Sequence, residues 1–244
     1  LRGLDITIHR GGIEDVQFLN RVFHTHRANY VFHLAGTVKA FDYAGFEAGN
    51  VHPTRCILEA SVHVPSIEKI VITSSLAASC ATTIGSPNDE SCPRNPLTDY
   101  GKSKVAQEDV ARSYMDRLPI AIIRPPVVYG ERDVEVYLFF KTIQWHIVPL
   151  IGFSPKAISL VHVSDLVDGF YLAGVSDTSS GQTYFLGGVR EQYSWEELGN
   201  LASEILQVWT IQLRVPHTLV FLIAYIYEFI SNHSGKAVAL NIQK

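Results

Sequence analysis

Two stretches of this chain, "KIVITSS" (69–75) and "PIAIIRPPVVYG" (119–130), are apolar almost without interruption. A strand with one face in water alternates apolar and polar residues, so an unbroken apolar strand is one covered on both faces. Such strands belong to parallel sheets sandwiched between helices, and the rest of the chain has to supply those layers. "LDITIHR" (4–10) and "YVFHLAG" (30–36) are further β-rich runs. Between them, "IEDVQFLNRVFHTHR" (13–27) spaces Val16, Leu19, Val22 and Phe23 for one buried helical face, which predicts a strand, helix, strand unit. A second helix over "NVHPTRCILEASVH" (50–63) leads into 69–75.

Residues 80–99 turn to Ser, Pro, Asn and Asp, a loop by composition. A long helix is expected from about Asp99 to Arg117, then the second apolar strand, stopped by Pro125 and Pro126. After Gly130 the alternation blurs. "ISLVHVSDLVDGFYLAGV" (158–175) restores strand then helix, "QTYFLGG" (182–188) reads as another strand, and "SWEELGNLASEIL" (194–206) opens on a capping box. The pattern predicts an α/β fold, a doubly wound parallel sheet with right-handed crossovers, whose ligands bind beyond the carboxyl ends of the strands. Thr73, Ser74 and Ser75 sit at such an end, as do Ala35 and Gly36, and Pro125 to Val128.

With 244 residues, 47% of them hydrophobic and 18% charged, the chain can build one substantial core plus a small lobe. A net charge of -4 without a basic run argues against nucleic acid as a partner. Cys56, Cys80 and Cys92 are an odd number without CxxC spacing or a secretory leader, which predicts reduced thiols, a cytoplasmic chain and no metal site. "LVFLIAYIYEFI" (219–230) is too short to cross a bilayer and is broken by Glu228. It reads as a buried or interface helix, with weak membrane-surface contact as the alternative.

The chemistry concentrates in "DYGKSK" (99–104). On a helix, Tyr100 and Lys104 share a face, and an ammonium beside a phenol favours phenolate. The pair then forms a proton shuttle, and Ser75 at a strand end adds a donor for a substrate oxygen. Such a set takes a proton from an alcohol or returns one to an alkoxide, and it requires a hydride acceptor. His33 and His162 read as structural histidines, Asp165 as a helix N-terminal group, and Asn50 as a backbone tie.

"HLAG" (33–36), "NVHPT" (50–54), "VITSS" (71–75), "YGKSK" (100–104), "RPPVVYG" (124–130) and "VHVSDLVDG" (161–169), in this order, resemble the extended short-chain dehydrogenase/reductase family, the NAD-dependent epimerase/dehydratase superfamily. The resemblance runs from about Leu4 to Leu206. It implies a Rossmann-like sheet and a nicotinamide cofactor, NAD or NADP. By position, Tyr100 resembles the catalytic acid/base, Lys104 the residue that tunes it and binds the nicotinamide ribose, and Ser75 the substrate-oxygen donor. Leu34, Ala35 and Gly36 resemble the strand end passing the cofactor's ribose and pyrophosphate. Pro125, Pro126, Val127 and Val128 resemble the turn holding the carboxamide, and Gly12 and Ile13 the adenine wall.

The resemblance further implies an NAD(P)-binding unit over 1–130 and 158–188, with a C-terminal substrate lobe over 131–157 and 189–244. "VITSSLAAS" is most similar to the 3β-hydroxysteroid dehydrogenase and dihydroflavonol reductase branch, because epimerases usually place a tyrosine where Ser79 stands. The implied activity is oxidoreduction of a small-molecule secondary alcohol or ketone. The alternatives are a sugar-nucleotide epimerase, or a non-catalytic module that has lost its nucleotide. Homodimerisation is a family expectation.

Two departures qualify the resemblance. Gly12 stands where the family has an adenine-binding aspartate, and no G-x-x-G-x-x-G loop occurs. That loop gives the diphosphate its backbone donors, so the chain as given is expected to bind the cofactor poorly. With Leu1 first and Met115 the only methionine, the expectation is a fragment lacking the family's first strand-helix-strand unit.

Overall fold

The structure, a computed structural model, describes residues 3–82 and 84–220. Helix α1 (Val16–Thr25) starts at Asp15, whose Oδ1 accepts from Phe18 N, and leads to strand β1 (Tyr30–His33). A short helix α2 (Tyr43–Phe46) passes through a π-helical turn, Glu47–Val51, into α3 (His52–Val62), and β2 (Lys69–Thr73) follows. After a 3-10 turn at Leu76–Ala78 and a long loop come α4 (Asp99–Arg112), β3 (Ile120–Arg124) and β4 (Val127–Tyr129). Next are α5 (Glu135–Gln144), β5 (Ile147–Ile151), β6 (Ala157–Ile158), β7 (Leu160–His162) and α6 (Val163–Val175). The described chain ends with β8 (Thr183–Phe185), β9 (Tyr193–Ser194), α7 (Trp195–Leu206) and β10 (Ile211–Val215).

Four strands form a parallel sheet in the order β1-β2-β3-β8, with Ile70 opposite Ile120 and Ile122 opposite Thr183. Its two apolar strands are covered on both faces, as their composition requires. On one face Ile70, Ile72, Ile120 and Ile122 pack with Ile57 and Leu58 of α3 and with Val110 and Ala111 of α4. On the other, Val71 and Ile123 pack with Phe170 and Ala173 of α6. Each fully buried aliphatic side chain adds about 1.5–3 kcal/mol, so these strands dominate the stability of the unit. A separate cluster around Ile143, Val148, Leu150 and Ala202 binds α5 and α7 to the parallel pair β5 and β10. The capping box of α7 is present, with Ser194 and Glu197 bonded reciprocally.

Lys69, nearly buried at the start of β2, donates to Ser176 O, Ser179 Oγ and Ser180 Oγ at 3.0, 3.0 and 2.6 Å. This contact pins the loop between α6 and β8 to the sheet.

Two expectations are corrected. Residues 4–10 form no strand: Leu4, Ile6 and Ile8 are 63, 47 and 65% exposed, and among the described residues β1 pairs only with β2. Their alternation fits a half-buried strand, but a strand needs a partner, and α1 packs on the core without bringing one alongside. The cysteines are not all reduced: Cys80 and Cys92 are joined by a disulfide, leaving Cys56 as a buried thiol. The loop of 80–92 folds back so that its ends meet, with Asn88 Nδ2 donating to Cys80 O at 2.8 Å. Most of the 219–230 segment lies outside the described residues, and no described helix is long and apolar enough to cross a membrane.

Candidate active site

Helix α4 carries the centre of the site. Its N-cap is Thr98, whose Oγ1 accepts from Gly101 N at 3.0 Å, and Asp99 adds a carboxylate to the positive end of the helix. Gly101 lets the first turn approach the 3-10 turn that follows Ser75, because a Cβ there would overlap the carbonyl oxygen of Ala77. The close approach brings Tyr100 beside Ser75, near enough for the serine hydroxyl to act on the phenol. Ser75 itself caps the 3-10 turn, its Oγ accepting from Ala77 N at 3.2 Å.

One turn along α4, Lys104 is buried and its Nζ donates to Thr73 O at 2.7 Å, at the carboxyl end of β2. Burial holds its pKa down at about 8, the nearby Glu108 carboxylate opposing the shift. Tyr100 departs from expectation. Burial raises its pKa, and the partial relief comes from the Ser75 hydroxyl rather than from Lys104. The lysine has turned its ammonium to the strand end, so the depressed phenol expected from helical spacing is not what the geometry gives.

A third residue on the same helical stripe, Glu108, escaped the sequence reading. It is fully buried and accepts from Arg124 Nε and Nη2, both at 2.7 Å, and from Ser74 Oγ at 2.6 Å. Burial pushes its pKa up, but the bonds from Arg124 and Ser74 and the Arg124 charge outweigh that and hold it below the usual carboxylate range. The i, i+4, i+8 spacing of Tyr100, Lys104 and Glu108 was the available signal. Arg124, placed before two prolines, looked like a strand end.

Asn50, in the π-helical turn, ties the loop after β1 to α4. Its Oδ1 accepts from Thr37 N at 2.8 Å, and its Nδ2 donates to Thr37 O and Ser103 Oγ at 3.0 Å. Leu34, Ala35 and Gly36 are thereby presented as an exposed strip at the carboxyl end of β1. Gly36 is needed there, since a Cβ would lie 2.9 Å from Asn50 Oδ1. His33 is structural, as read: its Nε2 meets Thr54 Oγ1 at 2.8 Å, and burial with the Lys104 charge holds its pKa at about 4. His162 caps α6, and Asp165 lies in that helix's first turn.

Pro125 and Pro126 link β3 to β4, and Pro125 O accepts from Leu76 N at 3.0 Å, locking this turn beside Ser75. Val127 and Val128 lie in β4, paired with β7. Gly12 and Ile13 form the turn before α1, where Ile13 packs on the main core and Gly12 is exposed. The structure therefore gathers Ser75, Tyr100, Lys104, Pro125 and, through Asn50, the 34–36 strip. Gly12 and Ile13 belong to the α1 entry. The described residues hold no group of three or more metal-ligating side chains.

A model of the NAD dependent epimerase/dehydratase family matches residues 1–187. The chain is 27% identical over 197 residues to N-acetyl-alpha-D-glucosaminyl-diphospho-ditrans,octacis-undecaprenol 4-epimerase of Escherichia coli O157:H7, covering 79% of this chain and 58% of that protein. It is 26% identical over 223 residues to a ceramide reductase of Caulobacter vibrioides, covering 88% and 61%. It thus spans about 60% of the length of these relatives. Among solved structures, UDP-glucuronic acid 4-epimerase from Bacillus cereus, in complex with UDP-glucuronic acid and NAD, superposes with a TM-score of 0.72 at 21% identity. That match covers 85% of this chain and 68% of the other, and shows a shared fold.

Proposed function

The chain belongs to the NAD dependent epimerase/dehydratase family, and on that premise we propose that Ser75, Tyr100 and Lys104 manage the proton in a hydride transfer at a secondary alcohol or its ketone. The observation that carries this reading is the approach of Tyr100 to Ser75, set by Gly101 against the Ala77 carbonyl, with Lys104 one turn further along α4 at the end of β2. A substrate oxygen held by Ser75 Oγ and Tyr100 Oη loses its proton to the phenolate in oxidation, and takes one from the phenol in reduction. Burial favours the phenol, which suits the reductive direction. A bound nicotinamide supplies the hydride donor or acceptor.

The residues fit the ribose and nicotinamide end of such a cofactor. Thr73 Oγ1 is buried without a hydrogen-bond partner among the described residues, beside the carbonyl that Lys104 holds, and the 34–36 strip is open. NAD is the cofactor we expect, with weak binding, since no glycine-rich loop stands in the sequence to cradle a pyrophosphate. The name of the Caulobacter relative supports reduction. The names of the Escherichia relative and the Bacillus neighbour support 4-epimerisation as a second reading that uses the same three residues.

Calorimetry with NAD and with NADP, on this chain and on any longer natural form of it, is the first test. We expect NAD to bind, and Tyr100→Phe to lower turnover about 10²–10⁴-fold while NAD affinity stays within a fewfold. Absence of binding in every form would leave the non-catalytic module in place of this reading.

A further inference from the structure

Glu108 does more than balance the charge of Arg124. Its Oε1 accepts at once from Ser74 Oγ at 2.6 Å and from Arg124 Nε at 2.7 Å, while Arg124 Nη2 holds Oε2 at 2.7 Å. Ser74 is the first residue past β2 and Arg124 the last of β3, so one carboxylate on α4 gathers the carboxyl ends of two neighbouring strands. All three side chains are essentially out of solvent. The Arg124 guanidinium also lies 5.5 Å from the centre of the Phe185 ring, at the end of β8.

The candidate site stands directly beside these contacts. Ser75 is held from both sides: Ser74 donates its side chain to Glu108 and its N–H to Ile123 O at 2.7 Å, and Leu76 donates its N–H to Pro125 O at 3.0 Å. Pro125 in turn follows Arg124. The helix that supplies the carboxylate carries Lys104 one turn earlier and Tyr100 two turns earlier.

A buried ion pair is a weak source of stability, since apolar side chains of similar volume often serve as well. What an apolar pair lacks is direction. Two parallel N–H···O bonds fix distance and orientation together, and registry is the best-attested use of buried charge. We infer that Glu108 is a positioning residue: its carboxylate sets the ends of β2 and β3 in register on α4, and so fixes Ser75 and the Pro125 turn relative to Tyr100 and Lys104. This role rests on the hydride-transfer reading for its chemistry, but the register itself can be measured without turnover.

The Leu76 amide, which bonds across the two strand ends, is the reporter. Its hydrogen exchange, followed by NMR on the full chain, is compared with that of residues 70–72 in β2. The variants are Glu108→Met combined with Arg124→Met, and Glu108→Gln alone. The double variant should melt above Arg124→Met, yet exchange at Leu76 about three- to tenfold faster than the parent, the loss of one hydrogen bond, with 70–72 unchanged. Glu108→Gln keeps an oxygen for Ser74 and Arg124 but removes the counter-charge. It should therefore melt below the double variant while staying closer to the parent at Leu76, a reversal of order that a merely structural role does not produce. Unchanged exchange at Leu76 in the double variant, or equal acceleration throughout β2, would overturn the assignment. Should the double variant not fold, Glu108→Gln decides: a lower melting temperature with Leu76 still protected upholds the role, and loosening of Leu76 in step with 70–72 overturns it. Selective loosening in a protein without NAD-dependent turnover upholds the register and removes the chemistry. Turnover abolished by Tyr100→Phe but untouched in the double variant upholds the chemistry and overturns the positioning role.

Discussion

Arg124 and Glu108 meet between sheet and helix as a two-pronged ion pair, Nε and Nη2 each donating to one carboxylate oxygen at 2.7 Å. Both side chains are essentially out of solvent. Deleting one partner strands the other charge in a low dielectric, which costs about 3–5 kcal/mol, whereas replacing both by apolar groups is often tolerated. We expect Arg124→Met to lower the unfolding free energy by that amount in urea titrations, and Glu108→Met with Arg124→Met together to lower it less. Additive losses would show that the two charges do not depend on each other.

Gly101 sets the distance between α4 and the turn after Ser75. Gly101→Ala forces a methyl against the Ala77 carbonyl, so either the turn or the helix start must move. The expected cost is about 1–3 kcal/mol, in the range of overpacked sites. Turnover should fall further than the stability loss explains, because Tyr100 is displaced from Ser75. A variant that loses stability but keeps full turnover would separate the two effects and contradict the coupling.

Asn50 makes three hydrogen bonds that hold the 34–36 strip against α4. Asn50→Ala leaves Thr37 N and O without their side-chain partner, at about 1–3 kcal/mol. Amide hydrogen exchange should speed up at 34–38 before it does so in β2. Equal acceleration throughout the sheet would mean the asparagine supports the fold globally rather than this loop.

His33 gives an acid limb to the stability curve. Its folded pKa of about 4 lies below the ordinary 6.5, so the unfolded chain binds the proton first. Stability therefore falls as pH drops from 6.5 to about 4, by roughly 3 kcal/mol at the lower end. The depressed Glu108 carboxyl adds a further loss below its ordinary value of 4.5. His33→Gln, which can still bond Thr54, should flatten the slope between pH 6.5 and 4.5, and an unchanged slope would acquit the histidine.

The parts of the fold that were legible share a cause: their pattern is enforced locally. "IVIT" and "IAIIR" are apolar because two layers cover them, and Ser194 with Glu197 caps α7 within four residues. The unread parts depend on partners far along the chain. β5 and β10 pair across residues 147–151 and 211–215, and neither segment carries a period that announces the other. Leu4, Ile6 and Ile8 show the reverse failure, an alternation without a neighbour to bond to. In the candidate site, Tyr100 and Lys104 were read from helical spacing and Ser75 from its place at a strand end, while the lysine's turn toward Thr73 and the Arg124–Glu108 pair could be seen only in space.

Lys69 makes the sheet's outer loop measurable from within. Its three ammonium protons are all committed to Ser176, Ser179 and Ser180, so an amine-reactive reagent can reach the nitrogen only in the moments when residues 176–180 lift away. The rate at which this one lysine gains an acyl group, read by mass spectrometry, is then a clock for local opening. Each acylation also prevents the loop from closing as before, since the modified side chain has lost the charge and two of the donors that the socket was shaped to receive.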